Sequence, residues 1–142
     1  RDYKVTGVQT CALPICRLRA VALIDSPEAT VFHCLAGKDR TGMTAALLLG
    51  AVGVPDELIA EDFALTDAGL AHVVPVWRQN ALKSGDDMEA FERGVVTKAE
   101  AMLELMRHIQ QTYGGASGYL RSVGISDEQI ARLRARFVEY PR

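Results

Sequence analysis

The chain has 142 residues, of which 49% are hydrophobic and 24% are charged, and its formal net charge is −2. This length allows at most one domain with an ordinary apolar core. Nothing in the charge pattern indicates a nucleic-acid surface, which would show clustered lysine and arginine side chains. No apolar run reaches the roughly 18 residues that a membrane span requires.

Residues 1–16 resemble a translated adapter from short-read sequencing. Val5 to Ile15 is what one common adapter string encodes, and Arg1-Asp2 matches the primer codons that precede it. We therefore expect this segment to be an artefact that is excluded from fold reasoning, with residues 17–142 as the natural part. The alternative is a real N-terminal strand and loop.

The three cysteines differ in what they can indicate. Cys11 and Cys16 belong to the adapter-like segment, so we interpret them neither as a disulfide nor as a metal site. Cys34 stands alone beside His33, which is typical of a catalytic thiol rather than of a secreted disulfide framework. Any signal peptide would precede residue 17, and the sequence therefore leaves the compartment open between cytoplasmic and secreted.

The first half of the chain predicts alternating helix, strand and helix. Residues 17–25 are expected to be a helix that ends before a turn at Ser26-Pro27. Residues 29–32 are short, β-branched and aromatic, which predicts a buried strand. Residues 41–52 are apolar nearly all round, as in a helix that is buried on every side. Gly53 is placed to end that helix, and Pro55 to open the next one.

The second half predicts helices of unequal strength. Residues 66–94 show only short helical patches. An apolar stripe at helical spacing from Val95 to Tyr113 predicts a long helix that stops at Gly114. Residues 119–123 suit a short helix, and a capping box at Ser126–Gln129 begins the last one. The sequence therefore predicts one strand and about five or six helices, without an internal repeat.

The segment His33 to Gly42, HCLAGKDRTG, places a cysteine and an arginine six positions apart around a glycine. We call residues 34–40 the phosphate loop. A Cys34 thiolate is placed to attack a phosphate monoester, because a helix N-terminus and nearby cations lower a thiol pKa from about 8.5. Arg40 can hold two phosphate oxygens with its planar guanidinium group and stabilise charge in the transition state. Thr41 can donate its hydroxyl to the thiolate when it leaves.

The other residues of this segment are predicted to bind phosphate or to assist the chemistry. Asp39 is the one carboxylate in the loop and is the first candidate for general acid and base, although it can instead only pair with a neighbouring cation. His33 is expected to orient the loop and to lower the thiol pKa. Lys38 is expected to place positive charge at the rim, which would favour polyanionic substrates such as inositol phosphates. Backbone N–H groups are expected to face inward as an anion nest, and they belong to Leu35, Ala36, Gly37, Lys38, Asp39 and Arg40.

Three functions are compatible with this loop. The leading one is phosphomonoester hydrolysis through a cysteinyl-phosphate, which requires no metal and no other cofactor. The alternatives are a phosphate-binding module without turnover, and sulfur transfer in the manner of a rhodanese. Thr41-Gly42 after Arg40 favours phosphate over sulfur transfer. A nucleotide-binding loop is rejected because Gly37-Lys38 is followed by Asp39 rather than by Ser or Thr.

The segment HCLAGKDRTG resembles the phosphate loop of the bacterial tyrosine-phosphatase family, and AALLLGAVGVPDELIAEDF, YGGASGYLRSVGIS and LRARF resemble its downstream sequence. The resemblance covers residues 28–138. It implies an α/β cysteine-phosphatase fold, in which a central, mostly parallel sheet is flanked by helices. Residues 17–142 would then be the mostly helical C-terminal part of a single phosphatase domain, with a helical lid near residues 66–94.

The same resemblance implies a function and site roles. Family members act on phosphotyrosine, and often on phosphoinositides, so that a protein-tyrosine or dual-specificity phosphatase is expected here. Cys34 would be the nucleophile and Arg40 the phosphate clamp, while Lys38 and Asp39 mark the subgroup. The family has further strands in an N-terminal half, with an aspartate that has been considered as general acid. Neither a nucleic-acid partner nor a transmembrane segment is expected.

Overall fold

The computed structural model describes residues 17, 19–26, 28 and 30–138, so the adapter-like segment lies outside the described residues. All regular secondary structure within those ranges is helical. Residues 17 and 19–25 belong to α1. The following helices are α2 (Asp39–Val52), α3 (Asp56–Ala64), α4 (Thr66–Leu70), α5 (Val74–Ser84), α6 (Met88–Val95), α7 (Ala99–Tyr113), α8 (Ala116–Ser122) and α9 (Asp127–Phe137).

Helix α2 lies at the centre of the packing and carries the phosphate loop at its N-terminus. It packs against α3, α8 and α9. Gly42 lets α3 approach closely, because a Cβ at that position would lie 2.6 Å from the Phe63 ring. The predicted buried helix over residues 41–52 is confirmed, and it begins at Asp39.

One apolar core joins α2 to α1, to α3 and to the three C-terminal helices. Helix α7 packs its apolar stripe against α3 and α8, and the rings of Tyr113 and Tyr119 meet edge to face at 5.1 Å. Each fully buried Leu, Ile or Met side chain stabilises the fold by about 1.5–3 kcal/mol. The buried members include Leu23, Ile24, Leu47, Ala51, Ile59, Met102, Met106, Ile109, Leu120, Ile130 and Leu133.

Arginines of α9 connect the last helix to α1 and α2. Arg136 donates to the carbonyl oxygens of Leu23 at 2.9 Å and Glu28 at 2.6 Å. Arg134 Nε donates to the Ala51 carbonyl oxygen at 2.9 Å. The last carbonyl groups of a helix have no partner within it, so guanidinium groups from elsewhere can satisfy them. These contacts hold α1 in place beside the segment that leads into the phosphate loop.

The predicted strand over residues 29–32 does not form in the described part of the chain. Residue 29 lies outside it, and residues 30–34 have no regular secondary structure. A strand exists only with a hydrogen-bonded neighbour, and no described segment pairs with this one. Val31 is accordingly 89% exposed. The central sheet stays a prediction from the family resemblance.

The described residues form more helices than the sequence predicts. The described residues contain α1 and the eight helices after it, rather than about five or six, because residues 66–94 fold almost entirely into α4, α5 and α6. The predicted long helix begins at Ala99 and not at Val95, because the backbone is extended at Val96. Among the helices that the structure describes, none has the length and apolarity needed to cross a membrane.

Several local predictions are confirmed. Ser126 Oγ accepts a hydrogen bond from the Gln129 amide at 3.2 Å, and Gln129 Oε1 accepts one from the Ser126 amide at 3.0 Å, which is the predicted capping box. Gly53 and Gly114 end α2 and α7 in the left-handed conformation. Pro55 immediately precedes the first residue of α3.

Candidate active site

The phosphate loop connects an extended segment to the N-terminus of α2. Gly37 has φ +68°, a left-handed conformation that disfavours residues with a Cβ, so the sharp bend at this point favours glycine. Lys38 stands at the N-cap of α2, and no side chain caps the helix there. The first N–H groups of a helix have no partner within it and carry its positive dipole end. They are therefore available to an anion.

The thiol of Cys34 is partly buried and has a lowered pKa. Burial raises its pKa, but hydrogen bonds from the Thr41 hydroxyl and from the backbone N–H groups of Thr41, Gly37 and Ala36 outweigh that effect. Together they bring the pKa of Cys34 from 9.0 to about 7. Because the thiolate is the nucleophilic form of cysteine, a substantial fraction of the molecules carries a nucleophile at Cys34 at neutral pH.

The same donors describe an anion nest. The N–H groups of Ala36, Gly37 and Thr41 all act on one negatively charged atom, Cys34 Sγ. Thr41 Oγ1 is buried, and in the described residues it has no hydrogen-bond partner that competes with the Cys34 thiolate. A buried hydroxyl without another acceptor is free to turn toward that charge. Two predicted nest residues, Ala36 and Gly37, are thus brought to the nucleophile.

Arg40 lies in the first turn of α2 with an exposed side chain. In the described part of the chain, its guanidinium group has neither a carboxylate partner nor a hydrogen bond. Its carbonyl oxygen accepts a hydrogen bond from Thr44 Oγ1 at 2.7 Å. The backbone of Arg40 is therefore held in place while its charged end stays available for phosphate oxygens.

His33 and Asp39 flank this site on the surface. His33 Nδ1 lies 3.1 Å from the Cys34 carbonyl oxygen, a contact that supports the predicted role in orienting the loop. The groups that lower the thiol pKa are the Thr41 and loop donors, so the second role predicted for His33 has no support from this geometry. The Asp39 carboxylate is 74% exposed and lies 3.8 Å from Lys38 Nζ. Its role in acid and base catalysis stays a prediction.

The prediction that Lys38 charges the rim of the site is wrong. Its side chain is only 7% exposed. Lys38 Nζ donates to the carbonyl oxygens of Gly94 and Val96, the latter at 3.3 Å. The carbonyl groups at the end of a helix have no partner within it. At the end of α6 the buried Lys38 ammonium group is their hydrogen-bond donor. The ammonium thus connects the phosphate loop to the end of α6, and only the Lys38 backbone N–H stays a candidate phosphate donor.

Sequence reasoning missed Arg19, on α1. Its guanidinium Nη2 donates to the His33 carbonyl oxygen at 2.9 Å, and Nη1 donates to the Arg40 carbonyl oxygen at 3.1 Å and to Thr44 Oγ1 at 3.2 Å. Arg19 lies 14 residues before His33. No motif joins the two, and an arginine in a helix gives no signal of such a contact.

The described residues contain no group of three or more His, Cys, Asp or Glu side chains placed to hold a metal ion. Leu35, a predicted nest residue, has a side chain that is 97% exposed. It therefore can contribute to the site only through its backbone. The geometry brings together a thiol and converging N–H donors, and Arg40 follows them in the first turn of α2.

Comparison with known proteins agrees with this geometry. A family model described as "Tyrosine phosphatase family" matches residues 14–139. A "Tyrosine-protein phosphatase" of Nostoc commune is 34% identical over 123 residues, which cover 76% of this chain and 38% of that protein. A "Triple specificity protein phosphatase PtpB" of Mycobacterium tuberculosis is 32% identical over 127 residues, covering 82% of this chain and 46% of that protein. The chain spans less than half the length of these two relatives.

Proposed function

Because this chain belongs to the tyrosine phosphatase family, we propose that it hydrolyses phosphomonoesters, phosphotyrosine in proteins first of all, through a cysteinyl-phosphate intermediate. The observation that carries the proposal is the Cys34 thiol, whose pKa is lowered to about 7 by donors that converge on it. A structural thiol has no need of such donors. Sulfur transfer in the manner of a rhodanese is disfavoured by family membership.

In the first step, the Cys34 thiolate attacks phosphorus. The S–P bond forms while the P–O bond to the tyrosine oxygen breaks, and the phenoxide that leaves takes up a proton. The guanidinium group of Arg40 and the N–H groups of Ala36 and Gly37 offset the charge on the three equatorial oxygens.

In the second step, water attacks the same phosphorus atom and loses a proton. The S–P bond breaks, its electron pair returns to Cys34 Sγ, and inorganic phosphate is released. The Thr41 hydroxyl stabilises the departing thiolate, as it does the free one. The low pKa of Cys34 therefore makes it both the attacking and the leaving group at neutral pH.

We assign the proton transfers to Asp39, which adjoins Arg40 and lies in the first turn of α2.

A second function, phosphate binding without turnover, is favoured by one observation. The Asp39 carboxylate is three-quarters exposed, and among the described residues no hydrogen bond from another group fixes its orientation. A general acid must be held within reach of the leaving oxygen.

Phosphoinositide hydrolysis is the weaker extension of this proposal. The description "triple specificity" applies to the Mycobacterium tuberculosis relative. Lys38 does not place the predicted positive charge at the rim of the phosphate loop, since its ammonium group is buried against the end of α6. We therefore expect this chain to prefer phosphotyrosine peptides over inositol phosphates.

The test is release of phosphate from para-nitrophenyl phosphate by the full chain in the presence of a chelator. We expect release that Cys34→Ser abolishes and that Asp39→Asn reduces by about 10²–10⁴-fold. No release, with inorganic phosphate still protecting Cys34 from alkylation, would establish binding without turnover. No release and no protection would overturn the proposal.

A further inference from the structure

Arg19 contacts both ends of the phosphate loop at once. Its Nη2 donates to the carbonyl oxygen of His33, which precedes Cys34, and its Nη1 to that of Arg40, which ends the loop. The same Nη1 lies 3.2 Å from Thr44 Oγ1, whose hydroxyl also donates to the Arg40 carbonyl oxygen. One side chain from α1 thus bridges the backbone at the two ends of the phosphate loop.

We propose that Arg19 is a positioning residue that holds the two ends of the phosphate loop together, so that the N–H groups between them face the nucleophile and the phosphate. This inference rests on the proposed function, because it assigns a role within the same site. Arg19 itself touches backbone carbonyl groups and a threonine hydroxyl, and it needs no contact with substrate.

The physical reason lies in the two faces of a peptide group. When N–H groups turn inward to form a nest, their carbonyl oxygens turn outward and require donors of their own. The Arg40 carbonyl group belongs to the same peptide group as the Thr41 N–H that acts on Cys34 Sγ. A planar fork of fixed geometry is suited to bridge this acceptor and the His33 carbonyl group. A lysine in this position keeps the charge but presents a single nitrogen.

Residue Arg17 offers a matched comparison on the same helix. It is exposed, and its guanidinium group lies near Gly124 rather than the loop. Arg136 offers a second comparison, because it anchors α1 to α9 through the Leu23 and Glu28 carbonyl groups without touching the loop. Substitution of Arg136 is expected to weaken the attachment of α1 to α9. Substitution of Arg19 removes the hydrogen bonds to the phosphate loop itself.

The experiment measures iodoacetamide alkylation of Cys34 against pH in the full chain, followed by mass spectrometry of the peptide that contains it, with and without inorganic phosphate. This readout is independent of turnover. All variants keep the neighbouring titratable or charged side chains of His33, Lys38, Asp39 and Arg40. We expect a midpoint near pH 7 in the unmodified chain, in agreement with the lowered thiol pKa, and the same midpoint in Arg17→Met.

In Arg19→Met we expect the midpoint to rise by about one unit or more, and protection to require about tenfold more phosphate, because the loop N–H groups would no longer be held facing the thiolate and the phosphate. Arg19→Lys keeps the charge and the stem, and serves if Arg19→Met does not fold. Its alkylation midpoint is expected to shift in the same direction. Arg136→Met is expected to lower the melting temperature and to keep the midpoint.

Unchanged midpoint and protection in either folded Arg19 variant would overturn the inference while leaving the proposed function intact. An equal shift in Arg136→Met would also overturn it, since the effect would then be general loosening of α1. A midpoint near 9 without phosphate protection in the unmodified chain would instead overturn the proposed function, whatever the variants do.

Discussion

The phosphate loop and the helices α4–α6 touch through Lys38, yet they are held by different forces. Helix α2, which carries the loop, buries Thr44, Ala46, Leu47, Leu48 and Ala51, whereas Ala81 is the one buried residue that α4–α6 contribute. An exposed ion pair connects α5 to α6 instead, with Arg78 bidentate to Glu92 at 2.6 and 3.0 Å. The helix that carries the loop is thus held by burial, while the helices beside it are held by contacts that water and salt weaken.

This difference indicates which region opens first. Local opening costs least where few apolar contacts are buried. We therefore expect α4–α6 to open without disturbing the nest around Cys34. The Lys38 contacts with Gly94 and Val96 join the two regions. The hydrogen bond from the Thr97 backbone N–H to Asp67 Oδ1 at 2.6 Å connects the segment after α6 to α4.

The largest expected difference between the regions is in the free energy of unfolding. Leu133 is fully buried, and Leu133→Ala is expected to destabilise the chain by about 2–5 kcal/mol through lost burial and the cavity left behind. Leu82, on α5, is 59% exposed, and Leu82→Ala is expected to change stability by less than about 0.5 kcal/mol. Urea unfolding followed by circular dichroism measures both. Equal losses would mean that α4–α6 share the core after all.

The second largest effect is expected where Lys38 contacts the end of α6. Lys38→Met removes the donor to two carbonyl groups at the end of α6, and we expect a loss of about 1–3 kcal/mol. Hydrogen exchange across residues 94–98 should become faster, while exchange in α7 should not. Lys83→Met, on the exposed surface of α5, is the matched control. Unaltered exchange at residues 94–98 would show that Lys38 does not join the regions.

The third effect concerns the thiol. Thr41→Val removes the hydroxyl that lowers the pKa of Cys34, so the pKa should rise from about 7 toward 9.0. The thiolate fraction at pH 7 should therefore fall, and with it the alkylation rate, whereas the two proteins should converge above pH 9. Rates measured from pH 6 to pH 10 give the midpoint. A difference that persists at the highest pH would point to altered access rather than to an altered pKa.

The smallest effect is expected from the exposed pair of α5 and α6. Hydrogen bonding to Arg78 lowers the pKa of Glu92, but both groups are solvated. Arg78→Gln should leave global unfolding unchanged and speed hydrogen exchange within α5 and α6. High salt should produce the same acceleration in the unmodified chain, because salt screens exposed charges. A measurable change in global stability would contradict this picture.

Predictions from sequence succeeded where the cause is local. The capping box at Ser126, the glycine ends of α2 and α7 and the apolar α2 itself all depend on residues within a few positions of one another. The chemistry of Cys34, Gly37 and Arg40 is local in the same sense, since all three belong to one loop. Sequence reasoning failed for Val31, because a strand depends on a partner that the described residues do not supply.

Lys38 and Arg19 show most directly what tertiary structure decided. The sequence by itself determined a thiol, a glycine bend and an arginine at the start of a buried helix, which is enough to predict a phosphate site and to specify the family. It could not determine where the Lys38 side chain points, because the carbonyl groups of Gly94 and Val96 reach it only after α3–α6 have packed. Nor could it connect Arg19 to the loop. Long side chains bond whatever acceptors packing brings near, and only the folded arrangement of helices selects those acceptors.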